Sequence, residues 1–217
     1  MAAIVSPQPA AVQCVAGSWP PGERSIAAAA IGPGAGGENR EEGPASGAYP
    51  RAVPELQRLR ADHASAVLSF ELDNRAYFAA WISDRGDEFY AHFAERHEAL
   101  LAEQQAGGGA YYVLVEEDGS VVGRFNLYFV EGDSAALGYR MAQAAAGRGL
   151  ATTAVRELCD LAADEYGLRR LVAAASRQNI ASQKVLINAG FALIGPADPA
   201  DVGGKPGYRY ERVLSRD

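Results

Sequence analysis

Apolar residues repeat with recognisable periods along this chain only from about residue 53 onward. The stretch ELQRLRADHASAVLSFELDNRAYFAAWI begins with a short alternating piece around Leu56 and Leu59, which predicts a strand. Asp62 then reads as the N-cap of a helix whose apolar residues lie near helical spacing. The stretch DEFYAHFAERHEALLAEQQ predicts a second helix, and the glycines of AGGGA end it.

The middle of the chain is rich in β-formers and predicts a meander of three strands. YYVLVEEDGSVVGRFNLYFV contains two such runs, separated by an Asp-Gly pair that is typical of a hairpin. A third run, AALGYRMA, follows the turn-like EGDS. A helix over residues 148–166 is then predicted from an apolar stripe at Ala151, Val155, Leu158, Cys159 and Ala162.

Two more strands and another helix complete the pattern after a buried strand at LRRLVAAAS. Residues 179–189 predict a helix closed by Gly190, and FALIG and YRYERVL predict the final strands. The predicted order is β-α-α-β-β-β-α-β-α-β-β. It indicates one mixed α+β domain over residues 51–217.

Composition distinguishes the domain at residues 51–217 from the first fifty residues. The first fifty residues contain 12 Ala, 8 Gly and 7 Pro, with no sustained period. Such a segment buries too little apolar surface to offset the entropy lost on ordering. We therefore expect residues 1–50 to be a flexible N-terminal extension.

Charge and cysteine content exclude several classes of function. The net charge of −7 gives no support to nucleic-acid binding and slightly favours cationic or amine-bearing partners. No apolar run is long enough to span a membrane, and the N-terminus lacks a secretory pattern, so we expect a soluble cytoplasmic protein. Cys14 and Cys159 lie in different contexts and predict neither a disulfide nor a metal site.

A glycine-containing turn from Ala144 to Gly149 lies between a predicted strand and a predicted helix. Backbone amides at a helix N-terminus favour an anion, and Gly147 and Gly149 permit positive φ and a close approach to a phosphate. The turn matches neither Gly-x-Gly-x-x-Gly nor a Walker loop. On its spacing alone, a plain strand-to-helix turn is the better interpretation.

A second motif, SRQNIASQKVLINAGF, places Asn179 and Ser182 one turn apart at the start of a helix. Both side chains can then reach a ligand that lies along the preceding strand. The local alternative makes Asn179 an N-cap, Ser182 a first-turn residue and Gly190 a helix terminator. Taken singly, each residue favours the local alternative.

Together, the two motifs resemble the acyl-CoA-binding half of the GNAT N-acetyltransferase superfamily. LGYRMAQAAAGRGLAT is especially similar to the branch that contains ribosomal-protein alanine N-acetyltransferases. The resemblance covers about residues 53–214 and implies a twisted mixed sheet of six to seven strands with about four helices. It implies that the sheet splays between residues 137–141 and residues 171–176, where acetyl-CoA binds as co-substrate.

The resemblance also implies roles for individual residues. The pantetheine arm pairs with a strand edge and with Asn179, while the pyrophosphate lies on the glycine turn. Arg148 either adds charge to a phosphate or is a solvated side chain. The implied acetyl-CoA-binding residues are Tyr139, Arg140, Met141, Ala144, Gly147, Arg148, Gly149, Ala151, Thr152, Asn179 and Ser182.

Three positions depart from the family pattern. Ala144 stands where the family often has Arg or Gln, so backbone amides would hold the phosphates. Leu186 stands where many members have a tyrosine acid, and Ala136 where a carboxylate often precedes Leu-Gly-Tyr. The candidates for acid and base are Ser182, Glu131 and Glu71, followed by Asp133 and Asp84. Glu71, with Asn74 and Arg75, either lines the acceptor mouth or forms surface salt bridges.

The sequence thus predicts an acetyl-CoA-dependent N-acetyltransferase in which a primary amine attacks directly within a ternary complex. The resemblance to the ribosomal-protein branch makes a protein N-terminus the leading acceptor. An α-amine also loses its proton more readily than a lysine, so it depends less on a protein base. A small-molecule amine is the second. A non-catalytic acyl-CoA-binding module and an interaction module without a CoA site remain as alternatives, and the chain is expected to be a monomer or homodimer.

Overall fold

A seven-stranded mixed sheet lies at the centre of the computed structural model, which describes residues 53–82, 84–130 and 132–215. The predicted extension at residues 1–50 and Cys14 lie outside these ranges. In chain order the strands are β1 (Glu55–Arg58), β2 (Gly109–Val115), β3 (Val121–Phe129), β4 (Ser134–Met141), β5 (Arg170–Ser176), β6 (Ala192–Pro196) and β7 (Gly207–Val213). They are arranged β1-β2-β3-β4-β5-β7-β6, and only β4 and β5 are parallel neighbours.

Six α-helices flank the sheet within the described ranges, two more than the sequence predicts. They are α1 (Ala64–Asp73), α2 (Arg75–Ala79), α3 (Asp87–Ala91), α4 (Phe93–Gln105), α5 (Leu150–Asp164) and α6 (Ile180–Asn188). Each of the two helices predicted before β2 is divided, at Asn74 and at His92. The order of the seven strands and of α5 and α6 is as predicted.

The helix start predicted at Asp62 is wrong. Asp62 lies inside a short 3-10 turn, Ala61–His63, and α1 follows with His63 as its N-cap. The Asp62 carboxylate instead accepts a hydrogen bond from the neighbouring Arg60 side chain at 3.1 Å. The Asp62 carboxylate is thus paired with Arg60, two residues before it, and does not cap a helix.

The predicted β-hairpin is present between β2 and β3. The Asp118 carboxylate accepts a hydrogen bond from the Ser120 amide at 2.9 Å, and Gly119 has a φ of 83°. Positive φ is the conformation that glycine adopts without strain, so the Asp-Gly pair sets this turn as expected. The strands β2, β3 and β4 form the predicted antiparallel meander.

Both faces of the sheet are covered by helices. On one side α1 packs against β3 and α4 against β2. The apolar stripe of α5 is fully buried, including Cys159, and burial raises the pKa of that thiol to about 11. Cys159 therefore behaves as a small core hydrophobe.

No helix in the described ranges is long and apolar enough to cross a membrane.

Candidate functional site

The sheet opens between its two parallel strands. β4 pairs with β5 only at Ser134, Ala135 and Ala136, whereas β5 pairs with β7 along its whole length. The second half of β4, residues 137–141, therefore has no strand neighbour on that side in the described part of the chain. This is the predicted splay, and it leaves a β-strand edge available to an extended ligand.

The glycine turn begins where this open edge ends. A 3-10 turn at Gln143–Ala145 leads to Gly147 and Gly149, whose φ values are 77° and 78°. Gly149 is the N-cap of α5 and supplies no side chain to the amides of the first helical turn. A Cβ atom at Gly147 or Gly149 would meet no atom within 4 Å, so the space above both glycines is open.

The end of α1 holds this turn against the sheet. The Asn74 side-chain oxygen accepts a hydrogen bond from the Gln143 amide at 2.9 Å, and the Asn74 amide group donates to the Phe70 carbonyl at 2.9 Å. The turn is thereby fixed from the face of the sheet that α1 covers. The sequence placed Asn74 near the acceptor mouth but gave no signal for its contact with Gln143, which is 69 residues away.

Arg148 is exposed, but its guanidinium already has an ion-pair partner. Its guanidinium donates to the Glu116 carboxylate of the β2–β3 turn at 2.9 Å, and its side chain is 29% exposed. Because Glu116 balances its charge, a phosphate would have to compete with an existing ion pair. Ala144 is exposed and has no polar side chain, so the backbone amides of the turn are the principal anion donors here.

Asn179 and Ser182 lie on the other side of the gap, directly after β5. The Asn179 side-chain oxygen accepts a hydrogen bond from the Ser182 amide at 3.0 Å, which makes Asn179 the N-cap of α6. The local interpretation of Asn179 is therefore present in the structure. Ser182 is completely buried.

A tyrosine on β4 reaches Ser182 across the gap. The Tyr139 phenol donates to the Ser182 carbonyl at 3.3 Å and lies 3.4 Å from the Ser182 hydroxyl. Its ring stacks on Phe125 at a centroid distance of 5.8 Å. Burial raises the pKa of Tyr139, so the phenol keeps its proton. The sequence analysis names Tyr139 among the acetyl-CoA-binding residues but gives no signal for its contact with Ser182, which lies 43 residues away in the chain.

Glu71 is a buried carboxylate shared by two arginines. It accepts from Arg124 of β3 at 2.5 Å and from Arg140 of β4 at 2.9 Å, one bond to each oxygen. Its side chain is 1% exposed, so the alternative of a surface salt bridge is wrong for Glu71. Surface pairing is instead found at Arg75, which meets Asp84 and Asp87 at 2.6 Å each.

The pairing of Glu71 sets its protonation. Burial by itself would raise the pKa of Glu71, but Arg140, Arg85 and Arg124 together lower it to about 2. The carboxylate is thus ionised at neutral pH, and both its oxygens already accept hydrogen bonds. This arrangement suits a group that positions β4 better than it suits a base that takes a proton. Arg124 had no role in the sequence analysis.

The other candidate bases do not gather at the gap. Asp133 precedes the first residue of β4, at the end opposite the glycine turn, and is half exposed beside Arg169. Asp84 is held by Arg75. Glu131 lies outside the described residues. Ala136 and Leu186, two of the three departures from the family pattern, are both buried and provide no titratable group.

The chain matches the family model of the acetyltransferase (GNAT) domain over residues 55–192. The chain belongs to the GNAT acetyltransferase family. It is similar to the probable N-acetyltransferase YjcK of Bacillus subtilis (strain 168), at 27% identity over 142 residues that cover 63% of this chain and 78% of YjcK. These matches identify it as an N-acetyltransferase.

Solved structures share the GNAT fold. A ribosomal-protein-S5-alanine acetyltransferase from Vibrio fischeri superposes with a TM-score of 0.70 at 19% identity, covering 77% of this chain and 96% of that one. The ribosomal alpha-N-protein acetyltransferase RimL, in complex with coenzyme A, superposes with a TM-score of 0.67 at 20% identity and covers 76% and 96%. The predicted family and the predicted fold class are confirmed.

Proposed function

We propose that this GNAT protein binds acetyl-CoA in the gap between β4 and β5 and transfers the acetyl group to a protein N-terminal α-amine. The observation that carries the proposal is the unpaired edge of β4, which runs directly into an open glycine turn at the start of α5. The similarity to RimL, whose structure contains coenzyme A, supports the same assignment. A small-molecule amine is the second candidate acceptor.

The residues present fit acetyl-CoA without a side-chain clamp on the phosphates. Backbone groups of Tyr139, Arg140 and Met141 would pair with the amides of the pantetheine arm. The pyrophosphate would lie on the amides from Gly147 through Thr152, where the positive end of α5 favours negative charge. The empty space above Gly147 and Gly149 is what a closely approaching phosphate requires.

The chemistry needs a neutral amine, a polarised thioester carbonyl and a proton for the leaving thiolate. An α-amine has an ordinary pKa near 8, so it needs little help from a protein base at neutral pH. The amine nitrogen forms a bond to the acetyl carbon while the carbon–sulfur bond breaks. A strand amide near Arg140 or Met141 would stabilise the oxyanion. The amine's proton finally resides on the thiolate.

We infer that Ser182 assists that last proton transfer. Its hydroxyl is buried beside the Tyr139 phenol, and no tyrosine is available from α6, where Leu186 stands. In this proposal the Ser182 hydroxyl passes its proton to the thiolate and takes up the amine's proton in return, while the Tyr139 phenol donates to the Ser182 hydroxyl oxygen. Glu71 acts at a distance, by holding Arg140 and therefore the end of β4.

The role of Asn179 can be separated from its role as a helix cap. Asn179→Asp keeps the oxygen that caps α6 but removes the amide donor proposed to bind the pantetheine arm. We expect this variant to bind acetyl-CoA about five- to tenfold more weakly while its melting temperature stays unchanged. Asn179→Ala should lose both the capping oxygen and the amide donor, and its free energy of unfolding should fall by about 1 kcal/mol. Wild-type affinity in Asn179→Asp, measured by calorimetry, would contradict the proposed contact.

Two measurements test the function itself. Calorimetry with acetyl-CoA decides whether the gap is a binding site, and no binding at millimolar ligand would overturn the proposal. Release of free thiol with a panel of N-terminal peptides and small amines then tests transfer. Binding without transfer to any amine would favour a non-catalytic acyl-CoA-binding module. Transfer to small amines alone would favour the second candidate.

A further inference from the structure

A small pocket lies on the side of β4 opposite Tyr139. Successive side chains of a strand point to opposite faces, so Tyr139 points toward α6 and Arg140 points toward α1. The pocket is a narrow cleft that is partly open to solvent. Its lining includes Glu71, Arg75, Phe78, Arg85, Tyr90 and Arg140.

Positive charge exceeds negative charge around this pocket. Arg75 is matched by Asp84 and Asp87, which it contacts at 2.6 Å each. Glu71 is shared between two arginines, Arg124 and Arg140. With Arg85, the pocket lining and its ion-pair partners contain four guanidinium groups and three carboxylates. The immediate surroundings are therefore cationic, although the chain as a whole carries a net charge of −7.

Arg85 is the guanidinium group that has no carboxylate to balance it in this count. Among the described residues its guanidinium makes no hydrogen bond and no ion pair, and it lies over the Phe89 ring at 4.3 Å from the centroid. Burial, together with the neighbouring Arg140, lowers the pKa of Arg85 to about 10, so it remains charged at neutral pH. A partly buried guanidinium without a carboxylate partner is stabilised when an anion enters beside it.

The pocket is close to the proposed reaction centre. Arg140 lines it, and Arg140 also belongs to the unpaired part of β4 where the thioester carbonyl would be held. The loop before β7 approaches the same region, since Lys205 donates to the Trp81 carbonyl at 3.2 Å. An acceptor that reaches the thioester from this side therefore passes Arg85 and Arg140.

We propose that Arg85, with Arg140 beside it, binds a carboxylate of the acceptor, so that the preferred substrate is an amine with an acidic group near its amino group. The planar guanidinium matches a carboxylate with two parallel hydrogen bonds. For a protein N-terminus, this is a chain with an acidic residue at its first or second position. The inference rests on the proposed acetyl transfer and names its substrate class.

Binding of matched ligands tests the inference without relying on catalysis. The protein saturated with coenzyme A is titrated calorimetrically with the peptides Ser-Glu-Ala-Ala and Ser-Gln-Ala-Ala, and with the amino acid β-alanine and its amide, which lacks the carboxylate. We expect the acidic member of at least one pair to bind about tenfold more tightly. The peptide and amino-acid pairs distinguish a protein terminus from a small molecule as the source of the carboxylate. Equal affinity within both pairs would overturn the inference.

Kinetics with variants of Arg85 tests the residue itself. Arg85→Gln should lower kcat/KM for the acidic peptide about tenfold and leave the neutral peptide within about twofold, while Arg85→Lys retains part of the preference. Arg169→Gln, at an exposed arginine beside Asp133, is the matched control and should change neither value. An equal loss for both peptides in Arg85→Gln would contradict carboxylate binding.

The proposed acetyl transfer and the proposed carboxylate site can be contradicted separately. If the wild type transfers acetyl groups to acidic and neutral peptides equally well, the carboxylate site is wrong and the N-acetyltransferase function stands. If the wild type transfers to neither but still binds the acidic ligands more tightly in calorimetry, the proposed peptide substrate is wrong and the carboxylate site stands.

Discussion

Replacing Glu71 by glutamine is expected to lower the free energy of unfolding by about 3 kcal/mol or more. Arg124 and Arg140 share this one buried carboxylate, and its loss leaves two positive charges inside the protein without their partner. The three residues join α1, β3 and β4, so the change also loosens the strand that ends at the glycine turn. Denaturation by urea, followed by circular dichroism, measures the loss.

Glu98→Gln provides the control for this variant. Glu98 is an exposed residue of α4, and its replacement should alter the free energy of unfolding by no more than about 0.5 kcal/mol. If Glu71→Gln proved as mild as Glu98→Gln, the two ion pairs would contribute little to the fold, and their part in positioning β4 would have to be abandoned.

The same carboxylate predicts an acid dependence of stability. In the folded protein the pKa of Glu71 is about 2, below its ordinary 4.5, so between these values the unfolded chain takes up the proton more readily. The stabilisation is therefore complete above pH 4.5 and is lost as the pH falls toward 2. This stabilisation amounts to about 3 kcal/mol in the free energy of unfolding. Urea unfolding across this range should show a steeper loss in the wild type than in Glu71→Gln, and parallel profiles would contradict it.

Gly149→Val is expected to weaken acetyl-CoA binding by at least about tenfold. Gly149 has a φ of 78°, which a β-branched residue adopts only with strain, and its Cβ would occupy the space proposed for the pyrophosphate. Beyond the neighbouring residues of the chain, no described atom lies within 4 Å of that Cβ position, so a clash with other parts of the protein is not the cause. Calorimetry with acetyl-CoA measures the change.

Gly107→Val separates strain from ligand contact. Gly107 has nearly the same φ, 77°, and equally open surroundings, but it precedes β2 at the end of the sheet opposite the glycine turn. The two variants should therefore lose similar stability, whereas only Gly149→Val should lose affinity for acetyl-CoA. If Gly107→Val weakened binding as much, the loss would reflect general destabilisation and not a phosphate site at α5.

The elements that the sequence predicted correctly depend on neighbouring residues. The hairpin follows from Asp118 and Gly119, whose side chain and φ act within the turn itself. The start of α6 follows from Asn179, which caps an amide three residues ahead. Gly190, with a φ of 85°, ends the same helix. Such contacts span few residues, so the order of residue types along the chain is sufficient to indicate them.

The breaks in the first two predicted helices could not be found in this way. Neither Asn74 nor His92, where they divide, is a proline or glycine, and helical spacing continues past both. Asn74 instead binds the Gln143 amide with its side chain, 69 positions further along. The break at Asn74 therefore coincides with a tertiary contact to the turn before α5, and local helix propensity does not predict such a contact.

The sequence by itself determined the order of strands and helices, the glycine turn and the family, because periodicity, turn chemistry and two motifs each lie within a short stretch. Only the tertiary structure decided the charge pairing around the site. Glu71 meets Arg124 and Arg140 from 53 and 69 residues away, Arg148 meets Glu116, and Arg85 is left beside them. A charge acts over a few ångströms of space whatever its distance along the chain, so its partners become known only once the sheet and helices have come together.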